Sequence, residues 1–230
     1  MAVPKIISIG GSIIIPASGF DILFLQEFKK LILSRVKKGD RFILVVGGGA
    51  TCRAYQNAAG QVTSMSSADL DWLGIKSTMF NAEFVRFLFK GYAHAEIVTD
   101  PTVKIKTKKP IIIAAGWKPG CSTDADAVLL AKTYGAREVI NASNISYVYT
   151  ADPKKDPNAK PLPELTWKEM KNIIGNKWTP GGNFPFDPKA VKIASALGLT
   201  VKFVKGSDLK EFEQAVAGLA YQGTVIYKKD

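Results

Sequence analysis

Arg41-Phe42-Ile43-Leu44-Val45-Val46-Gly47-Gly48-Gly49 is an apolar run halted by three glycines. A strand with one wet face alternates apolar and polar residues, whereas a strand covered on both faces stays apolar throughout. Residues 41–46 therefore predict a strand buried on both sides, as in a parallel sheet between helices. The glycines that follow let the backbone turn tightly.

The same punctuation recurs on either side. Lys5–Ile9 reads as a second buried strand, ended by Gly10-Gly11-Ser12. Ile22, Leu23, Leu25, Phe28, Leu31 and Ile32 recur at helical spacing, and Gly39-Asp40 closes that helix. Further helices are expected at 51–59, 70–89, 124–134, 166–174, Pro188–Leu197 and Leu209–Ala217. Strands are expected at 95–99, Ile111–Ala114, 138–142, 200–204 and Gly223–Tyr227, with another short one over 146–149. Residues 102–110 read as a basic connector, and the Pro- and Lys-rich 152–163 as a surface loop. Strand and helix alternate almost throughout, which gives the α/β class with a mostly parallel sheet covered on both faces.

Two more polar stretches close apolar runs. Gly120-Cys121-Ser122-Thr123-Asp124 precedes a helical pattern, where Thr123 or Asp124 is expected as the cap and the free N–H groups can face an anion. Tyr149-Thr150-Ala151-Asp152-Pro153 ends in a turn. In an α/β sheet such ends converge on one crevice, so a site for a phosphorylated small molecule is expected.

The 230 residues suit one large domain or two small ones. Apolar residues make up 47% and mean hydropathy is +0.05, values of a soluble globular chain. Such a chain buries roughly 70% of its unfolded surface, so it needs no covalent staples. Cys52 and Cys121 lack CxxC spacing and read as reduced thiols of a cytoplasmic protein. The first residues read as a strand and turn rather than as a signal peptide, and no run reaches the ~18 apolar residues of a membrane span. The formal charge of +11 is spread over scattered clusters, among them Lys29-Lys30, 104–109, Lys154-Lys155 and Lys228-Lys229. Without aromatic interleaving these read as solvated faces that steer anionic substrates, not as a nucleic-acid surface.

The ordered set Ile9-Gly10-Gly11-Ser12, Val46-Gly47-Gly48-Gly49 with Arg53, Asp71-x-x-Gly74-Ile75-x-x-Thr78-x-x-Asn81-Ala82, Pro119-Gly120-x-Ser122-Thr123-Asp124, 148–153, Asp187-Pro188 and Gly223-Thr224 resembles the amino-acid-kinase superfamily. Within it, the uridylate (UMP) kinases of archaea and bacteria are the most similar. The resemblance spans nearly the whole chain and lies in the order and spacing of the pieces. It implies a three-layer αβα sandwich and transfer of the γ-phosphoryl of ATP to UMP with Mg²⁺. It also implies a homo-oligomer, a hexamer built as a trimer of dimers. A single domain over 1–230 is expected, with an acceptor-side half near 1–135 and an ATP-side half near 136–230.

By that resemblance, Gly10 and Gly11 border the transferring phosphate, and Gly47, Gly48 and Gly49 approach the acceptor. Arg53 suits a bidentate clamp on the UMP phosphate; its plainer reading is an exposed Arg. Asp71 matches the position that accepts from the UMP ribose, though it also reads as an N-cap opening the long helix. Thr78 and Asn81 share a helix face and either line the acceptor pocket or join a helix–helix interface. Thr123 matches the uracil side. Asp124 organises Mg²⁺ or the catalytic cation, or only caps its helix. No residue is assigned as a dedicated metal ligand. Ser8, Ser143, Asn144, Tyr147, Tyr149, Asp152 and Asp187 form the implied ATP-side set, with Tyr149 packing on adenine and Asp152 near ribose.

The chain departs from the family pattern in places. Ser8 stands where a lysine is usual, and Ser lacks the charge that stabilises the transferring group. Lys5 would face away from it; Lys118 and Lys189 are the candidate replacements. Asn144-Ile145-Ser146-Tyr147 replaces Asn-Val-Asp-Gly, so Tyr147 must either stack on the purine or block it. Met79 stands where many archaeal-type members carry Arg. His94, the one histidine, reads as structural. The alternatives to UMP kinase are a binding or regulatory protein on the same fold, or a kinase for another small phosphate.

Overall fold

The computed structural model describes residues 2–153, 155–174 and 184–228. Lys154 and Lys229 of the lysine clusters lie outside them. In chain order the elements are β1 (Lys5–Ile9), α1 (Gly11–Ile14), α2 (Ile22–Lys37), β2 (Phe42–Val46), α3 (Gly49–Val62), α4 (Ser67–Leu88), β3 (Ile111–Ala114), α5 (Thr123–Tyr134) and β4 (Glu138–Ser143). There follow β5 (Val148–Tyr149), β6 (Pro161–Leu162), β7 (Glu164–Thr166), α6 (Trp167–Ile174), α7 (Pro188–Leu197), β8 (Thr200–Lys205), α8 (Leu209–Ala217) and β9 (Gly223–Tyr227).

The main sheet has the order β3-β2-β1-β4-β8-β9-β7. Its first five strands in that order run parallel, and β9 is antiparallel to β8. Successive side chains of a strand point to opposite faces. Ile6, Ile43, Val45, Ile112, Val139 and Phe203 accordingly pack with α5, α6 and α7. Ile7, Ile9, Leu44, Val46, Ile113 and Val204 pack with α2, α4 and α8. The expected αβα sandwich is what forms. Phe28 of α2 ties the second layer together, its ring 5.8 Å from Phe212 and 6.2 Å from Phe89. Truncating such a buried ring costs about 3–5 kcal/mol.

The chain leaves β1 for β2 and β3 on one side, then returns to β4 on the other. The switch point between β1 and β4 is where α/β sheets open a crevice at their carboxyl ends.

Some expectations need correction. Residues 95–99 form no strand; Ala93 and Val98 make only isolated bridges to β3. The 152–163 loop ends in β6, which pairs with β5 apart from the main sheet. Helix α4 starts earlier than expected, capped by Ser66, whose hydroxyl accepts from Asp69 N while the Asp69 carboxylate accepts from Ser66 N. Asp71 therefore sits inside α4 and caps nothing. Among the described residues no helix is long and apolar enough to cross a membrane.

Candidate active site

Asp124 stands at the switch point. Ser8 on β1 and Asn141 on β4 are register partners. Both donate to the same oxygen, Asp124 Oδ1, Ser8 Oγ at 2.8 Å and Asn141 Nδ2 at 3.2 Å. Ser8 thus takes up a position beneath the carboxylate. The cap of α5 is Ser122, whose Oγ accepts from Ala125 N, so neither Thr123 nor Asp124 caps the helix. Asp124 remains in the first helical turn, where a carboxylate meets the positive end of the macrodipole. Burial pushes its pKa up to about 6, aided by the charge of Asp187 and opposed by the bonds from Ser8 and Asn141.

A cleft of about 490 Å³ opens from this carboxylate. Gly48, Gly49, Arg53, Asp71, Thr78, Thr123, Asp124 and Asp187 all line it, with Cys52, Cys121 and Phe184. Its amino-side wall is the start of α3, where Gly48 is an N-cap that makes no side-chain capping bond. Gly10 N donates to Ala142 O at 2.9 Å, joining the β1 turn to the end of β4. The two glycine turns touch backbone to backbone. A Cβ on Gly11 would stand 2.1 Å from Gly49 N and 2.6 Å from Gly47 O, so no side chain fits there.

Helix α4 holds both loops that border the cleft. Thr78 Oγ1 accepts from Gly116 N at 2.8 Å. Asn81 Nδ2 donates to Gly47 O and Gly48 O, each at 2.9 Å. Of the two roles expected for these residues, Thr78 lines the cleft and tethers a loop, while Asn81 lies fully buried behind the turn. Asp71 Oδ2 accepts from Gly120 N at 2.8 Å.

The candidate lysines part company. Lys189 Nζ donates to Gly120 O at 2.8 Å, next to Asp187, which caps α7 by accepting from Lys189 N and Ala190 N. Lys118 Nζ instead rests over the Trp117 indole, 3.7 Å from the ring centroid. Lys5 lies at the far end of β1, paired with Asp40 at 3.9 Å.

Ser143, Asn144, Tyr149 and Asp152 line a second cavity of about 290 Å³, and Phe184 borders both cavities. Tyr147 is not among its lining residues. Its ring stands edge-on to Tyr149, with centroids 6.5 Å apart.

Residues not singled out from sequence also shape the site. Asp126 is 1% exposed and accepts from Trp117 N at 3.1 Å. Burial pushes its pKa up to about 7; the Cys121 thiol, the Trp117 N–H and Lys189 oppose the rise, and the Asp124 charge adds to it. Burial, with the Asp126 charge, sends the Cys121 thiol up to about 12, so it is no nucleophile. A charged residue inside the apolar run 125–131 was the signal for Asp126. Asn141 had no such signal, because its partner lies on another element.

Comparison with known proteins agrees with this architecture. Residues 4–205 match the model of the Amino acid kinase family. A uridylate kinase of Methanocorpusculum labreanum is 32% identical over 225 residues, 96% of this chain and 94% of that protein. One from Pyrococcus abyssi is 31% identical over 224 residues, 96% and 98% of the two chains. The crystal structure of uridylate kinase from Archaeoglobus fulgidus superposes with a TM-score of 0.79 at 30% identity, covering 96% of this chain and 99% of the other. With the glycine turns in contact, the carboxylate at the switch point and this likeness along almost its whole length, the chain belongs to the amino acid kinase family.

Proposed function

We propose that this protein is a UMP kinase, transferring the γ-phosphoryl of ATP to UMP to give UDP and ADP. The observation that carries the reading is the cleft that runs from Asp124 to Arg53, Asp71 and the open start of α3. The uridylate kinases among its relatives supply the acceptor. An anion seated at Gly48 and Gly49 meets the amino end of α3 and the Arg53 guanidinium. Asp71 is available to ribose hydroxyls, and Thr123 to the base. The second cavity, with Tyr149 and Asp152, suits the adenosine of ATP, so 1–135 serves the acceptor and 136–230 the donor within one domain.

A phosphate oxygen of UMP attacks the γ-phosphorus as the bond to the bridging oxygen of ADP breaks. The acceptor phosphate needs no general base. The chain's work is alignment and charge neutralisation. Gly10 and Gly11 bring bare backbone to the transferring group, and Lys189, held at Gly120 O beside Asp187, is the candidate to replace the lysine absent at Ser8.

Asp124 and Asp187 are adjacent hard oxygen donors whose like charges favour a cation. Among the described residues no group of three or more His, Cys, Asp or Glu forms a metal cage. Mg²⁺ is typically bound by one or two carboxylates and the substrate's phosphates, so these residues fit it. Mg²⁺ there would neutralise phosphate charge.

Trp72, Phe80 and Phe87 of α4 are exposed, which supports a homo-oligomer packed through α4, a hexamer in this reading. A cytoplasmic location follows from the need for ATP and UMP, with no role for membrane or nucleic acid. The experiment is phosphorus NMR of the protein with ATP, Mg²⁺ and UMP. Growth of UDP signals is expected; unchanged UMP refutes the reading.

A further inference from the structure

Asn81 spends its carboxamide nitrogen on a single glycine turn. It is completely buried on α4, one turn beyond Thr78. Its Nδ2 donates to Gly47 O and Gly48 O. Its Oδ1 has no hydrogen-bond partner among the described residues. A buried, unsatisfied acceptor is costly, so the two donated bonds must be important at this position.

A trans peptide holds its N–H opposite its C=O. Drawing the Gly47 carbonyl toward α4 turns Gly48 N–H away from α4. Drawing the Gly48 carbonyl there does the same to Gly49 N–H. Both N–H groups belong to the unpaired donors at the start of α3. Among the described residues neither has a partner, and both glycines line the cleft beside Arg53. Gly11 closes the turn from the other side. The turn is therefore gripped between Gly11 and Asn81, with its donors left over.

Resting on the acceptor-phosphate reading of the cleft, we propose that Asn81 is a positioning residue: it aims the Gly48 and Gly49 N–H groups so that they, together with Arg53, receive the acceptor's phosphate. A carboxamide suits the task because its nitrogen carries two hydrogens, one for each carbonyl. An ionised Asp at 81 would set a negative charge against both carbonyls. A Leu would fill similar space with no donor.

The test compares UMP with uridine, which shares base and ribose but lacks the phosphate. Amide NMR titrations of wild type and Asn81→Leu give both affinities. Asn81→Leu is expected to bind UMP at least ~10-fold more weakly and uridine within about twofold of wild type. In turnover, KM for UMP should rise more than kcat falls. Equal weakening of both ligands, or none, overturns the assignment. Should Asn81→Leu not fold, wild type alone decides: the Gly48 and Gly49 amide signals should move on adding UMP and stay put on adding uridine. Stationary signals at saturating UMP overturn it. If wild type binds no UMP at all, the acceptor reading itself falls, and the role of Asn81 with it.

Discussion

Asp71 and Lys189 hold the same residue from different helices. Asp71 on α4 accepts from Gly120 N, and Lys189 on α7 donates to Gly120 O, both at 2.8 Å. Gly120 has φ +72°, a conformation that a side chain would strain. The 116–122 loop is thus held between α4 and α7. Asp71→Ala should raise KM for UMP about 10–100-fold and change KM for ATP less than ~3-fold. Asp71→Asn, which keeps an oxygen for Gly120 N, should lose less. Wild-type KM in both variants would leave Asp71 with only the loop to hold.

The parallel sheet was legible because Phe42–Val46 and Ile111–Ala114 carry no polar residue on either face. The cleft was legible from glycine turns at strand ends. Contacts between distant elements were not. Ser8 and Asp124 lie 116 positions apart, and no local pattern announces that they meet. Ser122, Thr123 and Asp124 are all competent caps, and only backbone geometry selects Ser122. The start of α4 was readable but missed: Ser66-x-x-Asp69 has the spacing of a reciprocal cap. Residues 95–99 have strand-like composition, yet pairing there stops at single bridges.

Asp124→Asn should fold, since both bonds from Ser8 and Asn141 end on one oxygen that Asn retains. Its turnover should nevertheless fall at least ~100-fold, because the variant lacks the charge proposed to organise the cation and phosphates. Steady-state kinetics beside a thermal melt checks both halves. Near-native kcat would reduce Asp124 to a structural hydrogen-bond acceptor.

Lys189→Met should lower kcat about 10–100-fold with little change in either KM, as expected for a contact made in the transition state. Lys118→Met should leave kcat within about threefold, because that ammonium is spent on the Trp117 ring. The reverse ranking would assign the missing charge to Lys118.

Stability should depend on pH through Asp126 and Asp124. Their folded pKa values, about 7 and about 6, lie above the ordinary 3.8. Such groups bind protons more readily when folded, so their stabilisation is full below about pH 4 and is lost as pH rises to 6–7. Asp126→Asn keeps an oxygen for Trp117 N and removes one of these titrations. Melts with chelator and without nucleotide should show the variant gaining on wild type as pH rises, by roughly 1–3 kcal/mol at pH 7.5. Parallel melting curves from pH 4 to 7.5 would contradict the burial of an ionised carboxylate there.

The most direct test of the central claim is acceptor-dependent ADP release from ATP and Mg²⁺, measured for UMP, CMP, dTMP, carbamate and a glutamate derivative, in wild type and Arg53→Ala. UMP should be preferred over every other acceptor by at least ~10-fold in kcat/KM. Arg53→Ala should cost about 2–3 kcal/mol in UMP binding while ATP affinity holds. ADP release that UMP does not raise above the acceptor-free rate, or a clear preference for another acceptor, would contradict the assignment of this cleft to UMP.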